Sequence, residues 1–133
     1  MRQLEEGVSV SGQIRAEEVA QLATRGIRLI VNNRPDGEAP DQPSGEEIGA
    51  AAAAAGVEYR HIPITQLTPE AIEQMRQALA DAPGPVLAFC AVGTRSTYLW
   101  ALARSLDGAD GEALVAGAQA AGYDLAPIRR FLR

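Results

Sequence analysis

The sequence predicts an α/β fold with a central, mainly parallel sheet of about four or five strands flanked by helices. Short apolar segments alternate along the 133 residues with segments whose apolar residues recur at helical spacing. Two of the strand candidates, 27–31 and Val86–Phe89, are rich in apolar residues, as strands buried on both faces of a parallel sheet are. Ligands of such sheets bind beyond the carboxyl ends of the strands, so we expect the chemistry there.

The first half of the chain supplies two predicted strands and two predicted helices. Val8–Ser11 is the first strand, and the helical spacing of residues 14–23 predicts a helix that ends at Gly26. The second strand, 27–31, leads into a polar loop, 32–43, with three prolines and one glycine. A capping box then predicts a helix over 44–55.

The second half repeats the alternation of strands and helices. Residues 57–64 are predicted as a strand, and a Thr-Pro-Glu start signal predicts a helix over 68–81. Strand Val86–Phe89 follows, then a loop, a helix through Ala103, a helix around 112–121 and a short terminal turn.

The only cysteine, Cys90, lies between the Val86–Phe89 strand and a helix start. The segment that follows it contains Ala91, Val92, Gly93, Thr94, Arg95, Ser96 and Thr97, of which the last two are candidate N-caps. We expect the loop amides and the positive helix end to face the sulfur, where they favour a thiolate or a bound oxyanion. Arg95 adds a planar cationic fork suited to phosphate, sulfate or sulfite. The alternative is a buried structural cysteine beside a surface arginine.

Other side chains could join this site. In the polar loop, Arg34 could add positive charge, and Asp36 or Glu38 could bring a carboxylate to the anion. Alternatively, this segment is only a turn with a surface arginine. His61, the only histidine, is more often a core residue than a catalytic one at such a strand position. Gln13 could present its amide from the turn after the first strand.

Composition narrows the class of protein. The length indicates a single domain, 1–133, and the net charge of −5 argues against nucleic-acid or anionic-membrane binding. A lone cysteine excludes an internal disulfide and suits a reducing compartment. No signal peptide, membrane-spanning run, Cys/His metal cluster or nucleotide motif is recognisable. We therefore expect a cytoplasmic protein without a metal or cofactor.

Three segments together resemble a known family: Cys90-Ala-Val-Gly-Thr-Arg-Ser96, Asn32-Asn-Arg-Pro-Asp-Gly-Glu38 and Tyr59-Arg-His-Ile-Pro63. Over about residues 3 to 106 the chain resembles the DUF442 family. This is the phosphatase-like domain found alone or joined to "beta-lactamase hydrolase-like" metallo-domains that act as persulfide dioxygenases. The resemblance implies a dual-specificity or tyrosine-phosphatase-like fold and either phosphatase or sulfurtransferase activity on a small anionic or persulfide substrate. A persulfide dioxygenase or a sulfide-quinone reductase is the implied candidate partner.

The resemblance assigns Cys90 as the nucleophile, Arg95 as the anion clamp and the amides of 91–95 as the cradle. Two features depart from phosphatases: Phe89 replaces the histidine that usually precedes their cysteine, and Thr65-Gln66 stands where their general-acid aspartate would be. A glutamine cannot protonate a leaving group, so only Asp36 or Glu38 could supply the missing acid. Sulfur transfer needs no such acid.

The Cys-x4-Arg loop is one residue shorter than the signature of tyrosine and dual-specificity phosphatases, and it resembles the short loop of rhodanese-type sulfurtransferases. A smaller ring has less room for a tetrahedral phosphate and accommodates a persulfide sulfur. We therefore expect a sulfurtransferase that carries sulfane sulfur as a Cys90 persulfide. A phosphatase with a phosphocysteine intermediate is the alternative, and a non-catalytic anion- or partner-binding module is a third hypothesis.

Overall fold

The computed structural model describes residues 1–133, in which one sheet of five strands carries helices on both faces. The strands are β1 (Arg2–Glu5), β2 (Val8–Ser11), β3 (Leu29–Asn32), β4 (Glu58–His61) and β5 (Val86–Phe89), in the order β1-β2-β5-β3-β4. Every neighbouring pair is parallel except β1 with β2. The predicted α/β class with a mainly parallel sheet is confirmed.

Five α-helices connect and cover the strands: α1 (Val19–Thr24), α2 (Gly45–Ala54), α3 (Pro69–Asp81), α4 (Thr94–Leu106) and α5 (Gly111–Ala120). Short 3-10 helices cover Ala16–Glu18 and Ala126–Phe131. Ser44 and Thr68 cap α2 and α3 with their hydroxyl oxygens, as predicted. No helix combines the length and the apolar composition that crossing a membrane requires.

Alternate residues of the buried strands point into two separate cores. Val31 and Ala88 face the larger core, which α3, α4 and α5 cover. Ile30 and Phe89 face a smaller core beneath α1 and α2. The strands are therefore apolar on both faces, which explains why β3 and β5 lack the alternation of a half-exposed strand.

Strand β1 was not predicted, because its sequence gives almost no apolar signal. Only Leu4 of its four residues is buried, and the strand pairs antiparallel at the edge of the sheet. It is joined to α4 by the Trp100 indole N–H, which donates to Glu5 Oε2 at 2.8 Å. The buried Trp100 therefore anchors the edge strand as well as filling the larger core.

The prediction that Ser96 or Thr97 caps α4 was wrong. The N-cap lies three residues before Ser96, at Gly93, which has φ +98° and no capping side chain, and the helix begins at Thr94. Ser96 and Thr97 already lie inside the first turn and are fully buried. The Thr97 hydroxyl donates to the Gly93 carbonyl at 2.8 Å, a bond made within the helix rather than at its cap.

Replacing Trp100 by alanine should lower the free energy of unfolding by about 3–5 kcal/mol, because it opens a cavity in the larger core and removes the bond to Glu5. Urea denaturation monitored by far-UV circular dichroism measures this loss. Leu106→Ala, at an exposed position of the same helix, should cost less than about 1 kcal/mol. Equal losses in the two variants would contradict the anchoring role of Trp100.

Candidate functional site

The cysteine lies at the carboxyl end of the central strand. β5 pairs with β2 on one side and β3 on the other, and the last residues of both neighbours, Ser11 and Asn32, are level with Phe89. Backbone bonds continue this register past the strand ends. The Cys90 N–H donates to Ser11 O at 3.4 Å, and the Asn33 N–H donates to Phe89 O at 2.8 Å. The segments that follow the three strands therefore converge on one point.

The loop after Cys90 turns back on the sulfur. Cys90 is 1% exposed, and the Gly93 N–H donates to its Sγ at 3.1 Å. The glycine is needed there because its positive φ lies in the left-handed region that other residues avoid. Since the first intrahelical bond of α4 is that of Thr97 to Gly93 O, the amides of residues 94–96 have no partner within the helix. This helix end places positive dipole charge beside the thiol.

The Ser96 hydroxyl is used structurally and not as a donor to an anion. It donates to Asn33 Oδ1 at 2.8 Å, and Asn33 Nδ2 donates to Ile62 O at 3.0 Å. Both polar side chains are fully buried. They tie α4 to the ends of β3 and β4, and Ser96 retains only its amide for binding. Val92, also expected to bind the anion, turns an exposed side chain to solvent.

Arg95 forms a two-pronged ion pair with Glu38 across 57 residues of sequence. Its Nη1 and Nη2 each donate to one carboxylate oxygen at 2.8 Å, and Nη1 also donates to Ile64 O at 2.9 Å. Arg34 Nε donates to Glu38 Oε1 at 3.0 Å, and Arg34 Nη1 reaches Gln13 Oε1 at 3.0 Å. Four side chains, from two loops and the first turn of α4, thus form one network.

These contacts leave one edge of the Arg95 guanidinium free. An arginine has five N–H donors, and Glu38 and Ile64 use three of them. The Nε–H and one Nη2–H remain, and this pair suits two oxygens of an anion. Glu38 raises the pKa of Arg95 most, burial of the guanidinium opposes that rise, and Cys90 adds to it.

The Glu38 carboxylate is held ionised. The Arg95 guanidinium, with help from Arg34 and against the effect of burial, lowers the pKa of Glu38 to about 2. At neutral pH this side chain therefore accepts hydrogen bonds and has no proton to donate. The sequence indicated that Glu38 belongs near the anion, but its pairing with Arg95 could not be inferred from residues so far apart.

Two other candidates are engaged outside the cysteine loop. Asp36 Oδ1 accepts the Gly45 N–H at 2.7 Å, at the N-terminus of α2. The His61 ring, through Nε2, lies 2.9 Å from Arg34 O and so supports the backbone of the polar loop. No cluster of three or more His, Cys, Asp or Glu side chains has the arrangement of a metal site.

Two residues of this region were not among the predicted site residues. Asn33, described above, could have been suspected as a polar residue that directly follows a buried strand. Tyr123, in the segment after α5, donates its hydroxyl hydrogen to Val92 O at 3.0 Å. No sequence signal links a tyrosine there to a loop 31 residues earlier.

Comparisons with known proteins agree on one family. Residues 1–109 match the family model "Beta-lactamase hydrolase-like protein, phosphatase-like domain". A beta-lactamase hydrolase-like protein of Xylella fastidiosa is 40% identical over 107 residues, which are 79% of this chain and 25% of that protein. The chain thus spans about a quarter of the length of such curated relatives.

Solved structures show the same fold. A candidate phosphatase from Neisseria meningitidis Z2491 superposes with a TM-score of 0.84 and 35% identity, over 97% of this chain and 93% of that one. The core catalytic domain of a PP-IP phosphatase from S. cerevisiae superposes with a TM-score of 0.68 and 16% identity, over 94% and 78% of the two chains. The phosphatase-like fold implied by the sequence is confirmed.

The ion pair makes the stability of the fold depend on pH at Glu38. Its pKa is lowered in the folded state, so the pair contributes stability above the ordinary pKa of about 4.5, and that contribution is lost as pH falls towards about 2. Glu38→Gln should therefore be less stable than the wild type at neutral pH, with a difference that shrinks below about pH 4.5. Urea denaturation of both proteins from about pH 7 to about pH 3 measures this. A difference that is constant with pH would contradict the assignment.

Proposed function

Because this chain belongs to the family of the beta-lactamase hydrolase-like protein, phosphatase-like domain, we propose that it is a cysteine-dependent sulfurtransferase. Family membership shows that this chain is a phosphatase-like domain of an enzyme family. Sulfur transfer is the finer assignment that we make for this chain. Cys90 would be the nucleophile, Arg95 the anion clamp and the loop amides the cradle for the transferred atom.

The reaction we propose exchanges one sulfur atom between thiolates in two steps. The Cys90 thiolate attacks the sulfane sulfur of a persulfide, R–S–S⁻. A new Cys90 S–S bond forms, the donor's S–S bond breaks, and R–S⁻ leaves with the electron pair. An acceptor thiolate or sulfite then attacks the outer sulfur of the Cys90 persulfide and regenerates the Cys90 thiolate. Neither step consumes an oxidant, and neither requires a proton on the leaving group when that group is a stable thiolate.

The observation that carries this proposal is the absence of a carboxylic acid beside Cys90. Hydrolysis of a phosphomonoester needs an acid to protonate the leaving alkoxide or phenoxide. Glu38, with a pKa of about 2, is ionised and paired with Arg95. Asp36 is bound to the α2 N-terminus. A thiolate leaves without such help, so the arrangement suits sulfur chemistry better than ester hydrolysis.

The local charge supports the same choice. Arg34 and Arg95 bring two positive charges to the network, and Glu38 cancels one. One net positive charge remains to balance a Cys90 thiolate or persulfide. A persulfide donor adds one further negative charge to the site, fewer than a phosphomonoester dianion or thiosulfate adds. The loop with four residues between Cys90 and Arg95 is also compact, as a single sulfur atom requires.

Phosphatase activity is the second candidate, and a specific observation favours it. The Neisseria protein, described as a candidate phosphatase, matches nearly the whole chain at 35% identity. The free edge of Arg95 and the unpartnered amides at the start of α4 could also bind three oxygens of a phosphoryl group. Such an enzyme would form a phosphocysteine at Cys90 and would need an acid supplied by the substrate or by water.

For partners we propose an enzyme that makes or consumes a persulfide, of the persulfide dioxygenase or sulfide-quinone reductase class. An enzyme of this class would supply or remove the sulfane sulfur that the proposed reaction transfers. The substrate itself would be a small anion that reaches the nearly buried Cys90 sulfur.

Wild-type protein incubated with glutathione persulfide or thiosulfate should gain about 32 Da, the mass of one sulfur atom, and lose it on addition of a thiol. Intact-protein mass spectrometry measures both changes. Cys90→Ser should show no gain, and Arg95→Lys should gain sulfur from thiosulfate at least about tenfold more slowly, because lysine lacks the planar fork.

A parallel incubation with an aryl phosphate distinguishes the two candidates. Phosphate release that is abolished in Cys90→Ser and inhibited by vanadate, without any sulfur adduct, would replace sulfur transfer by phosphatase activity. Sulfur uptake without phosphate release is the result we expect.

A further inference from the structure

Tyr123 connects the cysteine loop to a part of the chain that the family model does not match. The family model matches residues 1–109, and Tyr123 lies after α5, in the segment that follows residue 109. Its hydroxyl donates to Val92 O at 3.0 Å. The ring and hydroxyl also lie so close to the Gly93 Cα that a Cβ at residue 93 would collide with them. The loop is therefore in direct contact with this tyrosine.

The backbone around Tyr123 is firmly held. Gly122 takes a positive φ of 94° as α5 ends, and the Tyr123 N–H then donates back to Ala118 O at 2.8 Å. Arg2, from β1, donates through Nη1 to Ala121 O at 2.8 Å. The ring packs against the larger core. The tyrosine hydroxyl thus reaches the loop from a fixed support.

The bond acts on the one peptide unit that faces the cysteine sulfur. In a planar trans peptide, the C=O and the N–H point in opposite directions. Tyr123 binds the C=O of the Val92–Gly93 peptide, and the N–H of the same unit donates to Cys90 Sγ at 3.1 Å. Because residue 93 is a glycine, little steric resistance opposes rotation of this peptide away from the sulfur. A bond on the carbonyl side opposes that rotation.

We propose that Tyr123 is a positioning residue that holds the Gly93 N–H on the Cys90 sulfur and thereby favours the thiolate. This inference rests on the proposed role of Cys90 as a reactive thiolate, but it is independent of whether sulfur or phosphate is transferred. A hydrogen bond to the charged form of a group stabilises that form. Losing the bond on Val92 O would free the peptide to rotate and withdraw this stabilisation.

The other charged groups near Cys90 act alongside this bond. Arg95, in the first turn of α4, adds positive charge near the sulfur, and Glu38 is paired with Arg95. Arg2 faces Tyr123 from β1. Burial raises the pKa of the Tyr123 phenol, Arg2 opposes that rise and the Cys90 sulfur adds to it. The phenol therefore keeps its proton at neutral pH and remains a donor to Val92 O.

The test measures the rate of Cys90 alkylation by iodoacetamide from about pH 5 to about pH 9 in the full chain, whose single cysteine makes the signal specific. In Tyr123→Phe we expect alkylation to be about three- to tenfold slower near neutral pH. Its pH profile should move to higher pH, with the same limiting rate at high pH. Tyr98→Phe, a tyrosine on α4 that packs against the same core, is the matched control and should follow the wild-type profile.

Two outcomes would overturn the proposal. One is a Tyr123→Phe profile identical to that of the wild type. The other is a rate raised equally at every pH, which would show that the tyrosine only shields the sulfur. Far-UV circular dichroism confirms that the variant is folded, and the near-identical shape of phenylalanine preserves the packing. Since alkylation involves neither sulfur nor phosphate transfer, a failed transfer assay leaves this test intact.

Discussion

The parallel register around β5 is the constraint on which the site depends. β2 and β3 flank β5 and end level with it, so the segments beyond Ser11, Asn32 and Phe89 must share the same small space. Gly12 accommodates this crowding, because a Cβ there would lie 2.8 Å from Ala91 O. The convergence brings together groups that are far apart in sequence, and a shift of one residue in either pairing would turn them to opposite faces of the sheet.

At the carboxyl ends of these strands, polar side chains are already fixed by hydrogen bonds to one another. Asn33 and Ser96 bond each other in the interior, which fixes the first turn of α4 relative to β3. Glu38 occupies one edge of the Arg95 guanidinium and leaves the other edge for an anion. An arginine that is already oriented loses less conformational entropy on binding than a free one. In the proposed function the ion pair would therefore contribute to anion binding through geometry, although it removes positive charge from the site.

The sequence predicted the parts of this architecture that local patterns determine. The buried runs of β3 and β5, the capping residues Ser44 and Thr68, and the cysteine followed by a helix all follow from short-range chemistry. The polar edge strand β1 was not predicted, because few of its own residues are apolar. It is held by pairing with β2 and by the hydrogen bond from the Trp100 indole to Glu5. The start of α4 was misplaced because the turn at Gly93 is set by the sulfur contact rather than by a capping side chain.

The partners of the site residues were less predictable than their identities. Glu38 and Arg95, or Tyr123 and Val92, meet only because the sheet and the C-terminal segment bring them together.

The residue before the cysteine differs from the one that phosphatases usually have there. Phe89 is fully buried in the smaller core, where a phosphatase would have a histidine. The groups near the sulfur are instead the Gly93 amide, the first turn of α4 and the Arg95 guanidinium. None of these titrates near neutral pH, whereas a histidine would. The charges of these groups thus stay constant across the physiological range, and under the proposed role of Cys90 its reactivity would depend on how firmly the Gly93 amide is held.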